Sequence, residues 1–189
     1  MGLPRAIAEA LANDIAGRSL GFAQVLPEWP EANTLMTFPA ATVETLGQPQ
    51  YERCAPYILS MGAVANNKAT NLYIVGEYAL QIQLDIWAKY KLQRDSLYEA
   101  VFQAIQAPNT ANNWRGSGGY SLQLAAYYNE WANFTLKGYK FMDEGESLRE
   151  KTWRAILQLE ASCRAVSTTS DYIITQPPVL TFSTPDSIT

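Results

Sequence analysis

The chain has 189 residues and a formal net charge of −4, and it contains no histidine. This length predicts one domain, and a hydrophobic content of 48% excludes an intrinsically disordered chain. Charged residues make up only 17% of the sequence, against about a quarter in ordinary globular domains. A weakly charged surface favours a subunit that neighbours cover. Lys and Arg are not clustered, which argues against phosphate-backbone binding as the main function.

The lack of histidine removes the commonest general base and the commonest ligand of transition metals. It excludes Ser-His-Asp and Cys-His catalysis and nearly every usual zinc site. Cys54 and Cys163 form no CxxC motif, so we predict two reduced core thiols in a protein assembled in a cytoplasm. The sequence therefore predicts no catalytic residue, no cofactor and no metal. Glu9, Asn13 and Asp14 interrupt the apolar residues near position 1, so no signal peptide is expected, and the sequence has no apolar run of the roughly 20 residues that cross a membrane.

The first element is predicted to be a helix. Pro4 suits a first helical turn, Ile7, Leu11 and Ile15 recur every four residues, and Gly17 is a natural end. Four prolines then punctuate residues 22–50, at positions 27, 30, 39 and 49, and we predict an extended insertion there. Within it, 35–38 and 41–46 are either short strands or an extended arm, and after it 57–62 is a predicted strand.

The clearest pattern in the chain is an alternating strand at 80–87. Leu80, Ile82, Leu84 and Ile86 alternate with Gln81, Gln83, Asp85 and Trp87. This spacing predicts one apolar face and one polar face. A sheet with one covered face is usually antiparallel, with helices on its apolar side.

A second helix is predicted at 91–107. Ser96 and Glu99 have the spacing of a capping box, which allows an N-cap at Ser96. Leu97, Val101, Ala104 and Ile105 form the apolar stripe, which Tyr98 and Phe102 widen. Pro108 is predicted to end the helix.

The second half is predicted to be rich in strands. Alternation predicts strands at 120–126, 131–136 and 153–161, a glycine-rich loop at 116–119 and an acidic hairpin tip at 143–146. The fold class is therefore α+β, with a mostly antiparallel sheet and both helices packed on one face. Residues 1–166 are predicted to form one domain, and 167–189 an extended C-terminal arm.

Other polar clusters have ordinary interpretations. The stretch 116–119 matches neither a phosphate loop nor a dinucleotide fingerprint, so a flexible loop is the better interpretation. The carboxylates at 143–150 lack the spacing of a calcium loop, which favours a solvated tip. Asp85 could serve as an acid or base, but a carboxylate paired with a neighbouring Lys or Arg is the commoner arrangement.

The aromatic residues are the better guide to function. Trp87 and Trp131 fall on the polar parity of their strands. They cap the sheet edge, lie under a long arm or contribute to a subunit interface, where Trp is enriched. The candidate interface residues are Gln81, Gln83, Asp85, Trp87 and Trp131, with Tyr172, Ile174 and Val179 as apolar anchors in the C-terminal arm.

The segment 78–106, YALQIQLDIWAKYKLQRDSLYEAVFQAIQ, resembles the tail terminator (tail completion) proteins of long-tailed bacteriophages. In that family a strand of the form hydrophobic-Gln-hydrophobic-Asp-hydrophobic-Trp passes into a helix with an Arg near its start. Gln83, Asp85, Trp87 and Arg94 match that form in this chain. The resemblance covers 1–107 in element order and 80–105 in residue pattern. The long segment 22–50 and the tail after 167 depart from smaller family members.

The resemblance implies a ring, usually hexameric, that caps the tail tube and joins it to the head-proximal neck of a virion. It implies no catalytic residue. The partners would be further copies of the chain, the tail tube protein and a neck connector, with DNA only passing through the lumen. Two alternatives stay open at this point. One is another neck, connector or tail-tube subunit, and the other is a small ligand-binding or enzymatic α+β domain.

Overall fold

The computed structural model describes residues 2–29, 35–65, 68–106, 120–142 and 152–172. These ranges contain two helices and six strands. In chain order they are α1 (Leu3–Gly17), β1 (Gln24–Leu26), β2 (Ala40–Ala65), β3 (Lys68–Ala88), α2 (Lys91–Gln106), β4 (Tyr120–Leu124), β5 (Glu130–Met142) and β6 (Trp153–Tyr172). The fold is therefore mixed α and β, as predicted at the level of class.

The strands form a single six-stranded sheet in the order β1-β2-β3-β6-β5-β4. The short β1 pairs with β2 in parallel, and every other neighbouring pair is antiparallel. The centre of the sheet is β3, which has β2 along one side and β6 along the other. A mostly antiparallel sheet was predicted from the alternating strands, and the pairing confirms it.

Alternate residues of β3 and β6 are the part of the hydrophobic core that the sheet contributes. Leu80, Ile82, Leu84 and Ile86 are buried, and so are the alternate residues of β6 from Ala155 to Cys163. Both helices contribute to the same hydrophobic cluster, α1 through Ile7, Leu11 and Ile15, and α2 through Leu97, Val101 and Ile105. Helix periodicity and strand alternation thus meet in one core, because each element buries only its apolar side.

Helix α2 begins at Lys91, five residues before the predicted cap, so Ser96 lies inside the helix. The Arg94 amide donates to the Tyr90 carbonyl over 3.1 Å, which places the first turn at Tyr90. The buried positions of α2 are Arg94, Leu97, Val101 and Ile105, so the stripe begins with an arginine and Ala104 stays half-buried. The prediction of a cap at Ser96 was wrong.

The segment predicted as an insertion at 22–50 contributes to the sheet. Ala40, Ala41, Thr42 and Val43 open β2 and have no exposed surface. The segments 41–46 and 57–62, predicted as separate pieces, both belong to this one strand. The register of β2 against β3 shifts between Leu46 and Gln50 and again between Arg53 and Tyr57, around Pro49 and Pro56. Each proline therefore lies at an irregularity on an edge strand, which tolerates a missing N–H.

The strands β2, β3 and β6 continue well beyond the core. Residues 57–65, 68–74 and 166–172 form a three-stranded ribbon, which we call the distal arm. Among the side chains that the structure describes, none from the distal arm belongs to the hydrophobic core cluster. Because β6 runs on to Tyr172, the predicted domain boundary at 166 falls inside a strand. The predicted loop at 116–119, the acidic tip at 143–146 and the end of α2 at Pro108 lie outside the described residues.

Candidate assembly surface

Near the C-terminal end of β3, polar side chains of β3 lie beside side chains of the two neighbouring strands, β2 and β6. Asp85 lies opposite Thr42 of β2 and Ile156 of β6, and Trp87 lies opposite Ala40 and Arg154. Cross-strand partners in an antiparallel sheet project to the same face. The pairing therefore gathers the polar side chains of three strands on the sheet face opposite the apolar side chains of β3.

Asp85 is the buried centre of this group. Its side chain has no exposed surface, and its Oδ1 lies 2.9 Å from Nε of Arg154, whose side chain is 15% exposed. Gln83 donates from Nε2 to the other carboxylate oxygen over 2.9 Å. A buried carboxylate needs a partner of opposite charge and further hydrogen bonds, and Asp85 has both. The predicted pairing of Asp85 with a cation is confirmed, and the cation is Arg154.

Two tryptophans enclose the guanidinium of Arg154. Its Cζ lies 4.7 Å from the ring centroid of Trp29 and 4.7 Å from that of Trp87. The two rings meet edge to face at 5.4 Å. Trp87 also donates from Nε1 to Oγ1 of Thr42 over 3.3 Å. We call Trp29, Thr42, Asp85, Trp87 and Arg154 the Trp–Arg cluster. Because Trp29 is 39% exposed, the cluster presents an indole to the surface.

Three members of the Trp–Arg cluster were absent from the predicted site. Arg154 was read only as the polar alternate of a half-buried strand, and Thr42 as part of a short strand. Trp29 lies between Pro27 and Pro30 in the segment predicted to be extended. A large aromatic in a weakly charged, proline-bounded segment is the signal that could have marked it. Its partner could not be read from the sequence, because the contact joins residues far apart in the chain.

The other predicted interface residues lie elsewhere. Gln81 is exposed and pairs with Leu46 and Glu160 across the sheet. Trp131 is half-buried in β5 and lies opposite Gln123 of β4. Its neighbour Ala132 pairs with Cys163, whereas Trp87 pairs with Arg154. At about 3.3 Å per residue, Trp131 is therefore about 30 Å along the sheet from the Trp–Arg cluster.

The predicted anchors of the C-terminal arm are described only in part. Tyr172 is the last residue of β6 and pairs with Lys68, while its side chain is not among those described. Ile174 and Val179 lie outside the described residues. Of the eight predicted interface residues, the structure thus brings Gln83, Asp85 and Trp87 together. Their contact with a partner stays a prediction, and the carboxylate of Asp85 is enclosed by its own chain.

A second buried arginine lies on helix α2. The Arg94 side chain is 2% exposed, and its Nη2 lies 2.6 Å from Oδ1 of Asp95. The guanidinium lies 4.5 Å from the ring centroid of Phe141 and 5.6 Å from that of Trp153. Arg94 is the arginine that the family resemblance singles out. In this chain it connects α2 to β5 and β6, since the two rings belong to those strands.

Burial raises the pKa of two further groups. Burial raises the pKa of the Cys163 thiol to about 12, helped by the negative charges of Glu130 and Glu77. Burial likewise raises the pKa of Tyr120, whose hydroxyl donates to the carboxylate of Asp14. Cys163 is thus a buried core thiol as predicted, whereas Cys54 is half-buried, and both are free. These groups join elements of the core and lie apart from the Trp–Arg cluster.

The sheet also carries shallow depressions lined by Glu160, two of which Gln81 lines as well. Three of them have volumes of about 120, 230 and 280 Å³. Small-molecule sites usually enclose about 300–1,000 Å³. Within the described ranges, no group of three or more Cys, Asp and Glu side chains is placed to hold a metal ion. Neither α1 nor α2, the helices of the described part, combines the length and apolar character needed to cross a membrane.

Comparisons with known proteins find distant likenesses among solved structures. No protein family model matches the sequence, and no curated protein matches it. Among solved structures, the fold is similar to a chain in the structure titled "Virion of native gene transfer agent (GTA) particle". The TM-score is 0.45 and the sequence identity 11%, with 86% of this chain and 95% of that chain covered.

Proposed function

We propose that this chain is a virion structural protein that assembles with copies of itself into a ring. In this proposal the ring terminates the tail tube of a phage-like particle and joins it to the head-proximal neck. The sequence resemblance at 80–105 supports the role in the particle. The distal arm supports the assembly, and it is the observation that carries the proposal.

The distal arm combines exposed side chains, such as those of Ser60 and Thr168, with buried ones at Ala69, Asn71 and Ile74, and none of its described side chains belongs to the hydrophobic core cluster. Its strands leave the region where α1 and α2 pack, and Ile58 on β2 is 51% exposed. Tyr51, just before the arm, is 48% exposed. A narrow ribbon in water is marginally stable unless another element covers it. Packing against further chains would stabilise the arm, which fits a subunit more naturally than a free monomer.

The Trp–Arg cluster supports the same proposal. Trp29 presents its indole at the surface while its inner side is fixed by Arg154 and Trp87. Rigid, partly exposed Trp side chains are enriched at the centres of interfaces, because they bury much area and lose little entropy. In this proposal the exposed indole of Trp29 is covered by a neighbouring subunit, by a tail tube protein or by a neck connector.

The proposal is tested by imaging the purified full chain in negative stain and by light scattering at several concentrations. Closed rings with one countable symmetry, six subunits in the simplest case, are the expected result. Long polymers would instead indicate a tube subunit, and a monodisperse monomer at all concentrations would refute the proposal. Trp29→Ala is expected to weaken assembly while circular dichroism stays unchanged. Arg5→Ala, which breaks only the exposed Arg5–Glu9 pair on α1, serves as the matched control.

A further inference from the structure

The distal arm has two outer edges, formed by β2 and by β6, and both extend beyond the strands that pair with them elsewhere in the sheet. Strand β1 pairs with β2 only from Ala40 to Thr42, and β5 pairs with β6 only up to Cys163. Beyond these points, no strand among the described residues pairs with the outer side of β2 or of β6. On β6 the Val166 amide is taken by the Tyr127 hydroxyl, so the edges that offer backbone groups to another strand are β2 beyond Thr42 and β6 beyond Val166.

The two edges lack charged side chains where they are level with each other, while β2 carries Pro56 and two shifts of register, between Ile58 and Ser60 and between Met61 and Val64. Natural edge strands are blunted by charges that prevent edge-to-edge pairing. Residues 54–65 of β2 and 165–170 of β6 carry no charged side chain. The register through β3 places Tyr57 level with Val166 and Met61 level with Thr169. A neighbouring copy shifted sideways, without sliding along the arm, would bring one uncharged edge against the other.

The direction of the strands decides how two copies can meet. Both β2 and β6 are antiparallel to β3, so they run parallel to each other. A closed ring repeats one heterologous contact, in which one patch of each copy meets a different patch of the next. A ring joined through the arms must therefore pair β6 with the β2 of its neighbour in parallel. An antiparallel contact of β6 with β6 would stop at a dimer.

We propose that the distal arms of adjacent copies pair edge to edge, β6 of one copy with β2 of the next, as parallel strands of one continuous sheet. This inference rests on the proposed ring and names the surface that closes it. The partner is a second copy of this chain because the same arm carries both edges, at the same level and both uncharged. After Tyr57 the register of β2 against β3 shifts twice more, so its regularly paired pieces in the arm are 57–58, 60–61 and 64–65.

A backbone test follows from the hydrogen bond at Val166. Its amide donates to the Tyr127 hydroxyl over 3.4 Å, so this N–H points away from β3. Residues two apart in a strand point their N–H groups to the same side, and Thr168 therefore also faces the open edge. Thr168→Pro is expected to keep the fold and abolish rings, because it removes an edge donor. Rings that persist in Thr168→Pro would overturn the inference.

A cross-linking test identifies the pairing directly. Ser60 and Thr168 are exposed, are both level with Leu72, and project to the same face. In a Cys54→Ser background, the double variant Ser60→Cys and Thr168→Cys is oxidised and run on a non-reducing gel. A ladder that ends at the size of the closed ring is the expected result, with neither single variant giving a ladder. A second pair, Ile58→Cys with Ser167→Cys, probes the opposite face.

The outcomes separate this inference from the proposed function. Dimers from Thr168→Cys alone would reveal an antiparallel contact and overturn the parallel pairing. Rings seen by microscopy without cross-links in either double variant would overturn the inference and leave the proposed ring intact. Absence of both rings and ladders would overturn both.

Discussion

Arg154 Nε lies 2.9 Å from Oδ1 of Asp85, and this ion pair connects β6 to β3 in a place where the carboxylate has no exposed surface. Arg154→Met keeps most of the side-chain volume between the two tryptophans and removes the charge. We expect the free energy of unfolding to fall by about 3–5 kcal/mol, because a buried carboxylate loses its cation. Urea denaturation followed by far-ultraviolet circular dichroism measures the change.

The matched control for Arg154→Met is Arg5→Met on α1. Arg5 also pairs with a carboxylate at 2.8 Å, but its side chain is 67% exposed. Water and salt screen such an exposed pair, so this variant is expected to lie close to the parent chain. The double variant Asp85→Asn with Arg154→Met should recover part of the lost stability. Equal losses for Arg5→Met and Arg154→Met would contradict the buried pairing.

Gly76 leaves space for the close approach of β2 to β3. A Cβ at this position would collide with the carbonyl oxygen of Glu52 and lie 2.6 Å from Cε2 of Tyr51. Gly76→Ala is therefore expected to destabilise the chain by about 1–3 kcal/mol through overpacking. Gly17, at the end of α1, has nothing within 4 Å of the same added atom. Thermal melts of Gly76→Ala and Gly17→Ala should differ, and a neutral Gly76→Ala would count against the register around the arm.

Arg94 is expected to stabilise the folded chain through its planar guanidinium. Arg94→Lys keeps the charge but cannot stack on Phe141 and Trp153 as a flat group does. Since the side chain is 2% exposed, we expect Arg94→Ala to lower the free energy of unfolding by about 3 kcal/mol. Arg94→Lys should fall between that variant and the parent. Chemical denaturation of the three chains, with exposed Lys89→Ala as control, ranks them, and an unaffected Arg94→Ala would refute the buried role.

Alkaline conditions are expected to destabilise the fold through Cys163. Its pKa is raised by burial to about 12 from an ordinary value of 9.0. Below pH 9 both the folded and the unfolded chain keep the proton, so this thiol adds no pH dependence. Between about pH 9 and 12 only the unfolded chain loses it, and the free energy of unfolding falls by up to about 1.4 kcal/mol per pH unit.

This prediction is checked by comparing how steeply the melting temperature falls with pH in the parent chain and in Cys163→Ala. Tyr120, whose pKa is also raised by burial, contributes to the alkaline loss in both chains alike. The variant should therefore show a shallower fall of the melting temperature above pH 9, whatever its starting stability. Parallel slopes in the two chains would show that the Cys163 thiol is not shielded.

Local patterns predicted the elements whose two sides differ in polarity. The periodicity of Ile7, Leu11 and Ile15 predicted α1, and the alternation around Leu84 and Leu157 predicted parts of β3 and β6 that are buried as expected. Their signals are local because side-chain direction repeats with the period of the element itself. Strand β2 was predicted only in fragments, since Pro49 and Pro56 are breakers in most strands. An edge position with shifted register tolerates them, and sequence alone does not reveal which strands are edges.

The sequence by itself determined the class of fold, the apolar face of β3 and the need of Asp85 for a cationic partner. Only the tertiary structure decided that Arg154 is that partner and that Trp29 and Trp87 enclose it, because these contacts depend on register between distant strands. The same is true of the distal arm. Its uncharged edges are visible in the sequence as separate stretches. Their placement level with each other on the two sides of β3 is a property of the sheet.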